Sequence, residues 1–245
     1  MKKLVLLALL VAAGQMAAWG QMVNIHLKDG SVLKYNSSIV DYVDFSETDE
    51  EPVQHEAVDL GLPSGLKWAT CNIGATKPEE AGYFFAWGEV AEKEDYSWCT
   101  YKWTNECQVT PTKYDGSASC TLEPEDDAAH VLWGGSWRMP TYEEAMELFN
   151  YSNCTYKFAT QNNVLGVLLT SKKNGNTLFL PIHGFKEGTE LKRENERGCW
   201  WTSTRPLAYT QQGNAFGTQY DQGRTYVGTK NNRFYGFNIR AVTTE

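Results

Sequence analysis

Trp133-Gly134-Gly135-Ser136-Trp137-Arg138-Met139-Pro140-Thr141-Tyr142-Glu143-Glu144-Ala145-Met146-Glu147-Leu148-Phe149 is the stretch that sets the fold class of this chain. Thr141 followed three residues later by Glu144 forms a capping box, in which each side chain bonds the backbone amide of the other. Ala145, Leu148 and Phe149 then fall on one face, so a helix runs from Thr141 to about residue 150. Upstream, a second short helix begins near Asp126, whose neighbouring acids suit the positive end of a helix dipole. The rest of the chain beyond residue 56 consists of short apolar runs punctuated by Gly, Asn, Pro and Ser. These are Leu66 to Ala69, Tyr83 to Trp87, Val164 to Thr170, Leu178 to Pro181, Trp200 to Thr202 and Phe237 to Val242. Asn174-Gly175 predicts a hairpin turn, because both residues tolerate positive φ. The main domain is therefore α+β, strand-rich with one or two helices, and lacks alternating βαβ units.

Toward the N-terminus, Lys2 and Lys3 precede an apolar run from Leu4 to Ala13, followed by Ala18-Trp19-Gly20. This pattern predicts a secretory signal peptide over residues 1–20. The run is far shorter than the ~20 apolar residues of a membrane span. The mature chain is thus expected outside the cytoplasm: extracellular, at the cell surface or periplasmic. Val23, Ile25 and Leu27 alternate with polar residues up to Asp29-Gly30, and Val32, Leu33 and Tyr35 follow, which predicts a β-hairpin in segment 21–46. Ile39 to Phe45 adds a third strand. Residues 47–55, acidic and polar around Pro52, read as a linker, and residues 56–245 form the main domain.

The chain has 245 residues, 42% hydrophobic and 21% charged, with net charge -8. Removing the leader takes that to about -10, which argues against nucleic acid as a partner. Six cysteines in an exported chain point to disulfides. No two form a C-x-x-C pair and only four histidines are present, so neither a zinc nor a thiol-redox site is expected.

Two segments carry a family resemblance: Val58-Asp59-Leu60-Gly61-Leu62 leading into Lys67-Trp68-Ala69-Thr70-Cys71-Asn72-Ile73-Gly74-Ala75, and Asp126-Asp127-Ala128-Ala129 leading into Trp133 to Thr141. Further matches are Gly82 to Glu89, Thr170 to Asn176, Leu180-Pro181 and Tyr235 to Val242. Over residues 56 to 243 the chain resembles the Fibrobacter succinogenes major paralogous domain family of exported Bacteroidetes proteins. That family in turn resembles the sulfatase-modifying and C-type-lectin-like group. The resemblance implies a C-type-lectin-like fold with its ligand face in the C-terminal half. It also implies a disulfide between Cys71 and Cys154, which fall in segments where the family commonly has cysteine. The family usually places Trp where this chain has Ala145, so the packing there must differ.

An oxidase of the formylglycine-generating kind needs a cysteine pair to hold copper, and the C-terminal part offers only Cys199. A hydrolase built on Ser203 and His183 lacks the Gly-x-Ser-x-Gly elbow. Glu123, Glu125, Asp126 and Asp127 could bind calcium but read better as a solvated helix N-terminus. Trp68, Trp87, Trp133, Trp137, Arg138 and Arg240 read as structural. The candidate ligand-binding residues are Trp200, Trp201, Tyr209, Tyr220, Arg224, Tyr226, Asn231, Asn232, Arg233 and Tyr235, where aromatic faces alternate with amides and guanidinium groups. Cross-strand pairing in a loop-rich sheet accounts for the same composition. The expected function is non-catalytic recognition of a glycan or protein, without cofactor or metal. The alternative is a structural component of the cell surface that self-assembles through the N-terminal segment.

Overall fold

The computed structural model describes residues 22–26, 32–36, 55–116, 120–209, 211–219 and 223–245; residues 22–26, 32–36, 216, 218 and 219 are described by backbone only. The chain divides into two compact units, Met1–Val53 and Gln54–Glu245. In the first, β1 (Met22–His26) pairs antiparallel with β2 (Val32–Asn36), Met22 opposite Asn36 and His26 opposite Val32. The third strand expected over Ile39 to Phe45 lies outside the described residues.

In the second unit, β3 (Ala57–Asp59) and β4 (Lys67–Ala69) pair antiparallel. A single 3-10 turn, Pro124–Asp126, precedes α1 (Ala128–Trp133), and α2 spans Tyr142–Leu148. The capping box forms as its spacing requires: the Thr141 hydroxyl accepts from the Glu144 amide, and the Glu144 carboxylate accepts from the Thr141 amide. Next come β5 (Cys154–Gln161), β6 (Val164–Ser171) and β7 (Thr177–Pro181), an antiparallel sheet. The β6–β7 connection is longer than a two-residue hairpin, because the Ser171 hydroxyl accepts from the Lys173 and Asn174 amides and closes the turn early. A short hairpin of β8 (Phe185–Glu187) and β9 (Glu190–Lys192) leads to a sheet of β10 (Arg197–Trp201), β11 (Gln212–Gln219) and β12 (Arg224–Asn232). The final strand, β13 (Val242–Thr243), returns to pair with β4, so the order in that sheet is β13-β4-β3.

One expected strand contracts to a single bridge, and another breaks into separate bridges. Tyr83 to Trp87 bridges only through Phe85–Phe237, whereas Phe237 to Val242 bridges Phe85, then Trp200 through Asn238 and Arg138 through Val242, before Val242 pairs with Trp68. Phe85 and Trp87 enter one apolar cluster while Phe84 and Ala86 enter another, so a continuous apolar run here means burial on both sides. The same rule governs Trp200 and Trp201. Adjacent side chains on a strand point to opposite faces. Trp200 packs among Leu60, Trp68, Leu148 and Val242, and Trp201 among Phe85, Trp87, Ala215 and Phe237. The β10-β11-β12 sheet is thus covered on both faces along β10.

Candidate functional site

Burial decides how much of the predicted recognition face survives. Trp200 and Trp201 are each 0% exposed, with their indole N–H groups donating to Asn72 Oδ1 (3.1 Å) and to the Phe85 carbonyl (2.8 Å). They are core residues and cannot touch a ligand. Arg233 is likewise 0% exposed; it donates to the Lys113 and Tyr114 carbonyls at 3.1 and 2.7 Å and lies 4.5 Å from the Trp87 ring. Its guanidinium ties three distant loops together. Asn231 is buried too, its amide donating to the Thr229 carbonyl at 3.0 Å. Asn232 and Tyr235 are half-buried, and the Tyr235 ring stands among Phe185, Phe234 and Phe237. Tyr220 lies outside the described residues.

Two predicted residues are exposed and a third, Tyr226, borders a cleft. Tyr209 is exposed, with the Lys230 ammonium 3.9 Å over its ring. Arg224 is exposed at the start of β12, and Tyr226 is half-buried two residues on. Tyr226 sits opposite Gly217, which is opposite Cys199, so the three form a row across the sheet. Gly217 carries no side chain to block the phenol, and a Cβ there would stand 2.9 Å from Tyr226 Oη. The hydroxyl therefore reaches Arg197 Nε at 2.6 Å and lies 3.9 Å from Cys199 Sγ. Burial pushes the Cys199 thiol up to about 11 and the Tyr226 phenol up as well, so both are neutral at physiological pH and Arg197 supplies the charge of the row.

Tyr226 also lines a cleft of about 400 Å³ between α2 and β12, completed by Met146, Phe149, Asn150, Thr225 and Val227. A β-bulge shapes it. Phe216 pairs with Val227 and Ala215 with Thr229, which leaves Gly228 as the extra residue at φ 79°. A Cβ on Gly228 would stand 2.5 Å from Tyr142 Cε2, so the missing side chain lets α2 dock on the strand. The α2 side of the cleft escaped the sequence reading. Its signal is a mixed stripe of two apolar residues and an amide, Met146, Phe149 and Asn150 at i, i+3 and i+4, beside the core positions Ala145 and Leu148.

Of the acidic cluster expected to be solvated, only Glu123 and Glu125 are exposed; Asp126 and Asp127 are buried and structural. Asp127 caps α1, accepting from the Ala129 and His130 amides and also from the Met139 amide at 2.8 Å. Asp126 is buried and bonds Lys102 (3.1 Å), Lys113 (2.6 Å) and Tyr114 Oη (2.8 Å). Among the described residues no group of three or more His, Cys, Asp or Glu is placed to hold a metal ion. Ser203 donates to the Pro140 carbonyl while His183 bonds the Glu79 carbonyl, so the two do not address each other. The Trp133 and Trp137 rings are half-buried, with His55 stacked 3.8 Å from Trp133.

The disulfide is Cys99–Cys107, and the expected Cys71–Cys154 pair is absent because both thiols are free. Cys154 is buried among Leu60, Leu148 and Leu169, whereas Cys71 is half-exposed beside Thr70 and takes no part in that cluster. The buried Arg240 lies nearby, donating to Asn72 Oδ1 and to the Ala69 and Thr70 carbonyls. Burial without a carboxylate partner pulls its guanidinium below the ordinary value.

Fold and surface together define a strand-rich α+β unit that carries a cleft between a capped helix and a bulged strand. Among the described residues no helix is long and apolar enough to cross a membrane. The chain matches no family model, no curated protein and no solved structure.

Proposed function

We propose that this chain is exported and acts as a non-catalytic binding domain, taking a glycan or protein ligand at the cleft between α2 and β12. The cleft itself carries the reading. Its volume of about 400 Å³ falls within the roughly 300–1,000 Å³ common for small-ligand sites. Its lining joins a phenol, a phenyl ring and a thioether to an amide and a hydroxyl, the mix of apolar faces and directional groups that carbohydrate and protein surfaces need. Arg224, Tyr209 and Lys230 extend the polar and aromatic surface along the β12 hairpin. The resemblance of residues 56 to 243 to exported Bacteroidetes domains supports both the export and a C-type-lectin-like fold. Two helices preceding a strand-rich C-terminal half agree with that fold.

The test is binding of the mature protein to a broad array of glycans and mucins, with and without calcium. A combined Met146→Ala and Asn150→Ala variant and a Tyr209→Ala variant accompany it, since both Met146 and Tyr209 are well exposed. Selective binding that the folded Met146/Asn150 variant loses supports the cleft. Undiminished binding by that variant rules the cleft out, and a chelator effect reintroduces calcium.

One observation favours a second reading, assembly through the N-terminal segment. The unit Met1–Val53 shows a pair of five-residue strands, and an isolated two-stranded hairpin is at best marginally stable in water. A partner strand would stabilise it. The full chain then elutes as an oligomer that Ile25→Asp in β1 dissociates, and a monomeric full chain counts against assembly.

A further inference from the structure

The turn between β6 and β7 is fixed from several sides. The Ser171 hydroxyl is buried and donates to the Leu60 carbonyl at 2.6 Å while accepting from the Lys173 and Asn174 amides. The Asn174 and Asn176 side chains both donate to the Asp59 carbonyl, at 2.9 and 2.8 Å, and the Lys172 amide donates to the Asn153 carbonyl at 2.8 Å. This bracing holds Lys172 and Lys173 on the wall of a cleft of about 340 Å³, which Gly61, Pro63, Ser152 and Asn153 complete. Gly61, at φ 60°, makes room for the Lys173 stem: a Cβ there would stand 2.8 Å from Lys173 Cδ.

Neither ammonium has a carboxylate within ion-pair distance among the described residues. The two acids bordering the cleft in sequence are engaged by backbone, Asp59 accepting from the Gly61 amide and Glu147 from the Ser64 amide. Two like charges on a braced turn, neither held in an ion pair, favour an anion over a cation there. Beside them stands Tyr151, 67% exposed, its ring 4.0 Å from the Lys172 ammonium. An aromatic face next to hydroxyl and amide groups suits a sugar ring, and the ammonium pair suits an acidic substituent on it.

We propose that this cleft is a separate binding site for an acidic saccharide. Lys172 and Lys173 hold the anionic group, the Ser152 hydroxyl and Asn153 Oδ1 bond ring hydroxyls, and Tyr151 flanks the ring. The site is distinct from the α2/β12 cleft and does not depend on it.

The experiment titrates the full chain with a galacturonate tetramer by calorimetry at low ionic strength. Its arms use the fully methyl-esterified tetramer, which keeps the sugar and removes the charge, and acetate, which keeps the charge and removes the sugar. Saturable binding of the acid tetramer is expected, weakened about tenfold or more by K172Q combined with K173Q and about threefold by Y151A, with neither ester nor acetate competing. These positions are exposed, and matching circular dichroism confirms that the variants fold. No saturable binding, equal binding of the ester, or undiminished binding by the double lysine variant overturns the proposal. Acetate binding as tight as the tetramer overturns the saccharide and leaves a bare anion site. The single Met146→Ala variant, which alters only the α2/β12 cleft, keeps this binding, which separates failure here from failure of the other cleft.

Discussion

At Asp126 and Asp127 two adjacent carboxylates respond to pH in opposite senses. Burial by itself would push the Asp126 carboxyl up, but bonds from Lys113, Tyr114 and Lys102 outweigh it and hold it below the usual range. The stabilisation is therefore complete above the unfolded value near ~3.9 and is lost as pH falls through the lower folded value. At Asp127 burial prevails over the Met139, His130 and Ala129 amides and the carboxyl is raised, so protonation there favours the folded form as pH falls. Asp126→Asn should destabilise the protein at pH 7 by about 2–3 kcal/mol, because it leaves two lysines without their shared partner. The gap to the native protein should close as pH drops below about 4. Urea unfolding at pH 7 and pH 3 measures this, and a gap that stays constant refutes the assignment. Both aspartates are visible in the sequence as acids at a helix start. That one caps the helix while the other anchors Lys102 and Lys113 depends on partners more than ten positions away.

At the scale of elements, the helix and the sheet differ in how well local sequence describes them. The α2 start is legible because a capping box acts within three residues. The β11–β12 ladder is not, since glycines, amides and a bulge disguise its alternation. Gly228→Ala tests that bulge against Gly223→Ala in the same hairpin. Both glycines have positive φ, but a Cβ at 223 meets nothing within 4 Å whereas one at 228 strikes Tyr142. Gly223→Ala should cost about 1 kcal/mol from backbone strain and Gly228→Ala about 2–3 kcal/mol. Adding Tyr142→Ala to Gly228→Ala should recover part of the difference, a non-additivity that chemical denaturation resolves. Equal costs at the two glycines would show that α2 does not press on the bulge.

Over the whole molecule, the second unit is closed by its own last residues. Val242 is fully buried, pairs with Trp68 in β4, and exchanges backbone bonds with Arg138 at 2.9 and 3.1 Å. It thus ties β4 to the loop that leads into α2. Deleting residues 242–245 from the full chain removes this side chain and these bonds, a loss of about 4–5 kcal/mol. For a domain of ordinary stability, about 5–15 kcal/mol in total, the truncated protein should melt far earlier or lose its cooperative transition. Scanning calorimetry gives the result, and an unchanged melting temperature would mean that the closing strand is dispensable.

Composition, capping chemistry and apolar punctuation determined the α+β class, the helix at Tyr142–Leu148, the start of α1 and several strands, because each rests on interactions within a few residues. The aromatic and amide richness of residues 200–235 was legible as composition, but its meaning was not. Whether Trp200, Trp201 and Arg233 face solvent depends on what covers the two sides of β10 and on which loops meet at Arg233, and those neighbours include Leu60, Trp68, Phe85, Trp87, Lys113 and Tyr114, far away in the chain. The same holds for Cys71 and Cys154, whose bonding is a matter of spatial approach. The tertiary structure alone decided that the indoles belong to the core, that Tyr226 is half-buried at a cleft and that Arg224 and Tyr209 remain outside, because burial is a property of a residue's surroundings rather than of its type.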